Sequence, residues 1–107
     1  MVNSERTDLL KNLLTKRVLV LDGAMGTAIQ AYDLGPDDFG GFEYEGCNEH
    51  LCLTRPHIIS EIHKAYLDAG SDIIETNTFG STSVVLSEYD LSHLARELNR
   101  EAARLAV

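Results

Sequence analysis

The chain has 107 residues, of which 44% are hydrophobic and 24% are charged, a composition typical of one globular domain. Its 17 acidic residues outnumber 9 basic ones, and the resulting net charge of -8 argues against binding to a phosphate backbone. No apolar run approaches the roughly 20 residues of a membrane span, and the polar start MVNSERTD is not a signal peptide. We therefore expect a cytoplasmic protein that binds neither nucleic acid nor membrane.

The first third of the chain predicts a helix, a strand and a glycine turn. Four leucines between positions 9 and 14 recur at helical spacing, and Ser4 can cap the start, so a helix is expected from Ser4 to Lys16. The following run RVLVLD, residues 17–22, is typical of a strand that is buried on both faces. A turn of sequence GAMG then leads into a short predicted helix, Met25 to Tyr32.

Residues 34–50, LGPDDFGGFEYEGCNEH, have no hydrophobic period and predict a long loop, a kind of segment that is often functional. A second strong helix follows. Thr54 is its expected cap, Pro56 suits its first turn, and Gly70 supplies its end. One face of this helix is apolar and consists of Ile58, Ile59, Ile62, Ala65, Tyr66 and Ala69.

The segment SDIIETNTFG, residues 71–80, repeats the earlier pattern of a short buried strand, an acid at its end, and then polar residues and glycine. A short helix around residues 83–87 precedes a last helix from Asp90. The last helix is still periodic at Val107 and has no C-cap signal. We therefore expect the sequence to be the leading portion of a longer domain.

This alternation predicts an α/β fold with a parallel sheet and helices packed outside it. The expected organisation is an N-terminal helix at 4–16, a first βα unit at 17–70 and a second at 71–107. Two strands cannot close a barrel, so the sheet would be incomplete.

Two acids occupy equivalent positions, because Asp22 and Glu75 each end a predicted strand. The carboxyl ends of parallel strands form the edge where α/β folds bind ligands. A carboxylate there can accept hydrogen bonds from an ammonium group, while the amides of residues 23–26 can hold a carboxylate. Together they would suit a zwitterionic amino acid. The alternative is that Asp22 only caps the turn and that the glycines supply unusual backbone angles.

Other candidate sites are weaker. The GAMG turn lacks the glycine spacing of a dinucleotide or phosphate loop. Residues 47–52, C-N-E-H-L-C, could be taken for zinc ligands, but the cysteine spacing is wider than usual, and we expect Cys47 and Cys52 to be reduced loop thiols without a metal. His57 and His63 are expected to be solvated helix residues. No arrangement predicts a nucleophile or a general base, so no catalytic residue is assigned.

Several motifs together resemble the first part of the homocysteine-binding domain of cobalamin-dependent methionine synthases, within the homocysteine S-methyltransferase family. They are RVLVLDGAMGTAIQ, the N-E-x-L pattern at residues 48–51, TRPHII, IHKAYLDAGSDIIETNTFGST and the terminal EAARLA. The resemblance runs from about Lys11 to the last residue, and DGAMGT together with AGSDIIETNTFGST is highly specific.

The resemblance implies a (β/α)8 TIM barrel, of which this chain would be the leading part. It also implies a methyltransferase in which zinc binds the homocysteine thiolate, and methylcobalamin, recharged by methyltetrahydrofolate, supplies the methyl group that makes methionine. Asp22 would contact the homocysteine amino group, the turn amides its carboxylate, and the ETNTF segment would line the pocket. The implied homocysteine-binding residues are Asp22, Gly23, Ala24, Met25, Gly26, Glu75, Asn77, Thr78 and Phe79.

The zinc cysteines of the family lie in Gly-x-Asn-Cys and Gly-Gly-Cys-Cys motifs that do not occur in this sequence. Zinc and cobalamin are therefore expected only in a longer parent protein, and the chain alone is expected to be inactive and free of metal. Its expected partners are homocysteine and the remaining barrel, cobalamin and folate domains. One alternative is a homocysteine methyltransferase that uses S-methylmethionine or another small donor. A second is a non-catalytic half-barrel that self-associates to cover its open sheet edges.

Overall fold

A computed structural model describes residues 4–107 of the chain. Six α-helices lie within this range: α1 Ser4–Leu14, α2 Gly26–Gln30, α3 Leu51–Thr54, α4 Pro56–Asp68, α5 Ser83–Leu86 and α6 Ala95–Ala106. Short 3₁₀ helices connect them at Pro36–Phe39, Phe42–Tyr44, Asn48–His50, Ser87–Tyr89 and Ser92–Leu94. No helix of the described range is both long and apolar enough to cross a membrane.

The two predicted strands run side by side but form a single parallel bridge, between Leu21 and Ile73. The Asp22 N–H donates to the Ile73 carbonyl at 2.9 Å, and the Asp72 N–H donates to the Val20 carbonyl at 2.8 Å. The expected parallel neighbours are therefore in contact, but over too few residues to form a regular β-strand pair. The α/β class and the barrel remain predictions.

The prediction that these segments are buried on both faces is wrong for the described chain. Val18 is 86% exposed, Val20 53% and Leu21 54%, while Ile73 and Ile74 are only partly buried. The leucine face of α1 is no better covered, because α1 contributes no buried side chain. The physical reason is that residues 4–107 supply no further layer to pack on this side of the pair.

A salt bridge joins the beginnings of the two paired segments. Arg17 donates through both terminal nitrogens to the Asp72 carboxylate, at 2.9 and 2.7 Å, and the Val20 N–H donates to the same carboxylate at 2.9 Å. These bonds stabilise the ionised form, and they lower the pKa of Asp72 to about 2. The ion pair thus fixes which residue of one segment lies beside which residue of the other.

The hydrophobic core lies on the other side of the molecule, among α3, α4 and α6. Its fully enclosed side chains include Leu51, Ile59, Leu86 and Leu98. The apolar face predicted for α4 is confirmed in its first half, where Ile58, Ile59 and Ile62 are buried. Further along, Ala65 and Ala69 are exposed and Tyr66 is half-buried.

Several element boundaries differ from those expected. Helix α1 ends at Leu14 rather than Lys16 and already includes Ser4, and α2 spans five residues instead of eight. Thr54 belongs to α3, so Arg55 occupies the N-cap position of α4. The last helix begins at Ala95, because Asp90 has a left-handed φ of 59° and a 3₁₀ turn intervenes.

Residues 34–50 contain three 3₁₀ helices rather than an irregular loop. Asp38 holds the segment at one end, because its carboxylate accepts hydrogen bonds from the Gly35 N–H and from Arg55 Nε, each at 2.9 Å. At the other end, His50 Nδ1 lies 2.7 Å from the Phe39 carbonyl oxygen. The segment is therefore folded against the start of α4.

The expectation that His63 is solvated is wrong, whereas His57 is exposed as expected. The His63 side chain is 3% exposed, and neither ring nitrogen has a hydrogen-bond partner among residues 4–107. Burial disfavours the imidazolium ion and lowers the pKa of His63, while the negative charge of Asp22 opposes this shift. His63 is therefore a buried imidazole whose neutral form is favoured, and it lies beside Ile73 and Ile74 of the second paired segment.

This burial predicts a pH-dependent stability. A lowered pKa in the folded state means that the unfolded chain binds a proton more readily, so stability is complete above pH 6.5 and decreases as the pH falls below that value. We expect urea unfolding to show this loss between pH 7.5 and 5.5, by an amount that His63→Leu reduces. His57→Gln, which removes an exposed histidine from the same helix, should leave the pH dependence unchanged. An equal pH dependence in wild type and His63→Leu would contradict the assignment.

Candidate functional site

A cavity of about 360 Å³ lies where the paired segments end. All nine residues predicted for homocysteine binding line it, and three further residues, Asn48, Glu49 and Thr76, complete the wall. The nine residues come from two stretches about fifty positions apart, and the parallel pairing brings these stretches together. The structure thus gathers the predicted residues around one cavity, while their contact with homocysteine stays a prediction.

Asp22 joins the two stretches at the cavity. Its side chain is partly buried, and its Oδ2 accepts a hydrogen bond from the Glu75 N–H at 3.0 Å. This bond continues the parallel pairing by one more step after the Leu21–Ile73 bridge. Part of the alternative interpretation is therefore correct, because Asp22 does cap backbone. Its cap binds the neighbouring segment, however, rather than its own turn.

The amides of the GAMG turn are available for a ligand. None of the amides of residues 23–26 donates a hydrogen bond to any of residues 4–107. Neither glycine of the turn has the left-handed φ that the alternative interpretation assigns to it. Helix α2, which the turn opens, has only five residues, so its dipole adds less than expected. The turn therefore offers small residues and unpaired donors.

Tyr66 supports this turn without lining the cavity itself. Its hydroxyl donates to the Ala24 carbonyl at 2.7 Å. A Cβ atom at Gly23 would lie 3.1 Å from that hydroxyl oxygen and 3.3 Å from ring atom Cε1, so the ring packs closely on Gly23. A glycine is needed here for the close approach of the tyrosine, and not for its backbone conformation.

The ETNTF segment contributes three different environments. Asn77 is 5% exposed, and its Nδ2 donates to the Asn48 carbonyl at 2.9 Å, so this side chain fastens two walls of the cavity together. The Thr76 and Thr78 hydroxyls lie 2.7 Å apart and share a hydrogen bond. Phe79 is fully exposed at 102%. Asn77 is therefore better described as a bridge between loops than as a free ligand group.

Asn48 and Glu49 were missed as site residues. Their only sequence signal is the N-E-x-L pattern, which supports the resemblance without indicating a role. The carbonyl of Asn48 accepts the hydrogen bond from Asn77 at the cavity wall. The side chain of Glu49 lies against Gly80, since a Cβ atom at Gly80 would lie 2.9 Å from Glu49 Oε1. Only the fold brings this carboxylate to the cavity.

The charge of the cavity is one-sided. Three carboxylates line it, those of Asp22, Glu49 and Glu75, and no lysine, arginine or histidine does. Such a wall favours a positively charged group, while the unpaired amides of the turn favour an anionic one. The arrangement can therefore bind both ends of an amino acid head group.

The two cysteines do not suit a metal. Both are free and buried, although Cys52 lies in α3 rather than in a loop. Burial raises the pKa of both thiols, that of Cys52 to about 11. Zinc binds the thiolate form, and no group of three His, Cys, Asp or Glu residues within 4–107 could hold a metal ion. The described residues therefore do not fit the zinc site that the resemblance implies.

The class of protein follows from comparison with known families. The family model described as homocysteine S-methyltransferase matches residues 19–107, which is most of the chain. The match begins after α1 and includes every residue that lines the cavity. The chain belongs to the homocysteine S-methyltransferase family, a family of methyltransferases.

The chemistry of the cysteines predicts the metal content. We expect the purified chain, incubated with zinc and then dialysed, to hold far less than one zinc ion per molecule by elemental analysis, because two protonated buried thiols are poor ligands. Replacing Cys47 and Cys52 by serine should not change the value. One tightly held zinc per chain, lost in the double variant, would contradict this interpretation.

Proposed function

We propose that the cavity binds the amino acid end of homocysteine, and that the protein transfers a methyl group to the homocysteine sulfur to make methionine. Asp22 accepts hydrogen bonds from the substrate ammonium group, and the amides of residues 23–26 donate to its carboxylate. Glu75 and Glu49 add negative charge beside the ammonium group. Homocysteine bound in this way keeps its thiol end free to project towards a methyl donor.

The observation that carries this proposal is the pairing of an anionic and a donor-rich wall in one cavity. The Asp22 carboxylate and the unpaired amides of the turn are adjacent in sequence and line the same space. One oxygen of Asp22 is used by Glu75, which holds the carboxylate in place and leaves the second oxygen for a ligand. The family match supports homocysteine as that ligand.

We further propose that the chain forms the first two βα units of a (β/α)8 barrel. The support is the parallel pairing at Leu21 and Ile73, together with the exposed apolar side chains on the same segments. Further strands would cover these side chains and pair with the free edges. The cavity would then lie at the carboxyl-terminal face, where TIM barrels have their active sites.

The methyl donor that we propose is methylcobalamin, as in methionine synthases, and S-methylmethionine is the alternative donor. No group of three His, Cys, Asp or Glu residues among the described residues could hold zinc, and in this proposal zinc and cobalamin both bind to parts of the parent protein outside residues 4–107. The role of this chain is to bind and orient the substrate. The DNA sequence downstream discriminates the two donors, since cobalamin- and folate-binding modules accompany only the first.

Asp22→Asn tests the proposed role of the carboxylate. Asparagine can still accept the hydrogen bond from the Glu75 N–H but carries no charge for an ammonium group. Losing one charge-assisted hydrogen bond costs about 1.5–3 kcal/mol, so we expect homocysteine affinity to fall roughly tenfold to a hundredfold, measured by isothermal titration calorimetry. The melting temperature should change little.

Two further variants serve as controls. Asp22→Ala removes both the charge and the cap, so it should lower the melting temperature as well as the affinity. Asp8→Asn removes one negative charge from the exposed face of α1, far in sequence from the cavity, and should leave homocysteine binding unchanged. Unchanged affinity in Asp22→Asn would reduce Asp22 to a capping residue.

A second candidate function, association without catalysis, is favoured by the exposed apolar surface. Large apolar side chains with more than half of their area exposed include Val18, Val20, Leu21, Phe42, Phe79 and Val84. Such a surface promotes contact with another copy or with the rest of a barrel. We expect light scattering of the purified chain to show dimers or larger species, and Val18→Lys to shift it towards the monomer. A monodisperse wild-type monomer would contradict this proposal.

A further inference from the structure

Tyr66 is outside the cavity, yet it contacts the turn that forms one of its walls. The residue lies on α4 and faces an apolar groove with Ala28, Tyr32 and Ile62, and this groove shares no lining residue with the cavity. Its hydroxyl makes one hydrogen bond, to the Ala24 carbonyl at 2.7 Å, and its ring packs on Gly23. The residue is therefore in contact with two of the four turn residues, Gly23 and Ala24, without lining the cavity.

The planarity of the peptide bond gives this contact a consequence on the cavity side. In a trans peptide the C=O and N–H groups point in opposite directions. The carbonyl of Ala24 and the N–H of Met25 belong to the same peptide unit, so the bond to Tyr66 directs the Met25 N–H away from Tyr66. Met25 lines the cavity, and its N–H has no acceptor among the described residues.

We propose that Tyr66 is a positioning residue that aims the Met25 N–H at the carboxylate of the bound amino acid. The position of the hydroxyl is itself well fixed. Tyr66 packs against the hydrophobic core, and its carbonyl accepts a hydrogen bond from the Ser71 N–H at 3.0 Å. Orientation by a rigid helix reduces the ordering that the turn must undergo when a ligand binds. The identity of the ligand in this inference rests on the proposed function, whereas the contacts between Tyr66 and the turn are independent of it.

Tyr66→Phe tests the proposal because it removes the hydroxyl and keeps the ring. We expect homocysteine affinity to fall about threefold to tenfold, the effect of one neutral hydrogen bond. Binding of 3-aminopropane-1-thiol, which keeps the ammonium and thiol groups but lacks the carboxylate, should change less than about twofold. A general structural defect would weaken both ligands equally, and that result would overturn the proposal.

The matched control is Tyr32→Phe. Tyr32 also faces the groove, and its hydroxyl also makes a single hydrogen bond, to Glu61 Oε2 on α4 at 2.9 Å, but it does not touch the turn. This variant also loses one hydrogen bond of a tyrosine hydroxyl, in this case a bond to Glu61 on α4. It should bind both ligands as the wild type does. A loss of homocysteine affinity in Tyr32→Phe equal to that in Tyr66→Phe would also overturn the proposal.

A ligand-free measurement separates this inference from the proposed function. In ¹⁵N NMR spectra, Tyr66→Phe should shift the Met25 amide resonance and speed its hydrogen exchange, while the amides of α6 stay unchanged. Absence of homocysteine binding by the wild type would refute the proposed function alone. The Met25 resonance would still test whether Tyr66 orients the Met25 N–H. An unchanged Met25 resonance would refute the positioning role whatever the ligand data show.

Gly23→Ala offers a second variant in case Tyr66→Phe destabilises the chain. The new Cβ would press on the tyrosine hydroxyl at 3.1 Å and displace it from the Ala24 carbonyl. We expect the same shift of the Met25 amide resonance in Gly23→Ala as in Tyr66→Phe. The double variant should be no worse than Tyr66→Phe by itself, because the displaced contact is already absent. Additive losses in the double variant would contradict a shared mechanism.

Discussion

The parallel contact between residues 20–22 and 72–75 is the constraint on which the candidate site depends. It is short, with one bridge and three backbone hydrogen bonds, and side chains secure it at both ends. The Arg17–Asp72 ion pair fixes the register at the start, and the Asp22 carboxylate binds the Glu75 N–H at the finish. A shift of one residue would separate the GAMG turn from the ETNTF segment and open the cavity.

The sequence predicted which residues meet at one cavity better than it predicted the elements around them, and the binding of homocysteine there stays a prediction. The acid at each predicted strand end and the glycine turn pointed to Asp22, Glu75 and residues 23–26, because parallel neighbours end at the same edge, and the family resemblance added Asn77, Thr78 and Phe79; all nine line one cavity. Strand burial and helix ends were less predictable. Val18 and Val20 have the composition of buried residues, but burial depends on what packs against them, which composition does not encode. Asn48, Glu49 and His63 were missed for the same reason, since only tertiary contacts place them.

Helix α4 connects the core to the cavity through side chains on one face. Ile59 and Ile62 pack in the core, His63 is buried with no hydrogen-bond partner among residues 4–107, and Tyr66 reaches the turn. The helical spacing of the apolar residues indicated only that this face packs in the core. It could not show that the Tyr66 hydroxyl also donates a hydrogen bond to a backbone carbonyl. A helix with an ordinary core pattern therefore also contacts the backbone of the candidate binding turn.

The protonation of Cys52 has a consequence for the proposed binding of a thiol at the cavity. The sulfur lies 3.7 Å from Asn77 Nδ2, so it is only one side chain away from the cavity wall. Burial raises the pKa of Cys52 to about 11, so its sulfur is held as the thiol at neutral pH. Disulfide exchange requires the thiolate and access to it, and burial restricts both. An oxidised thiol ligand in the cavity would therefore meet at Cys52 a buried thiol that reacts slowly in disulfide exchange.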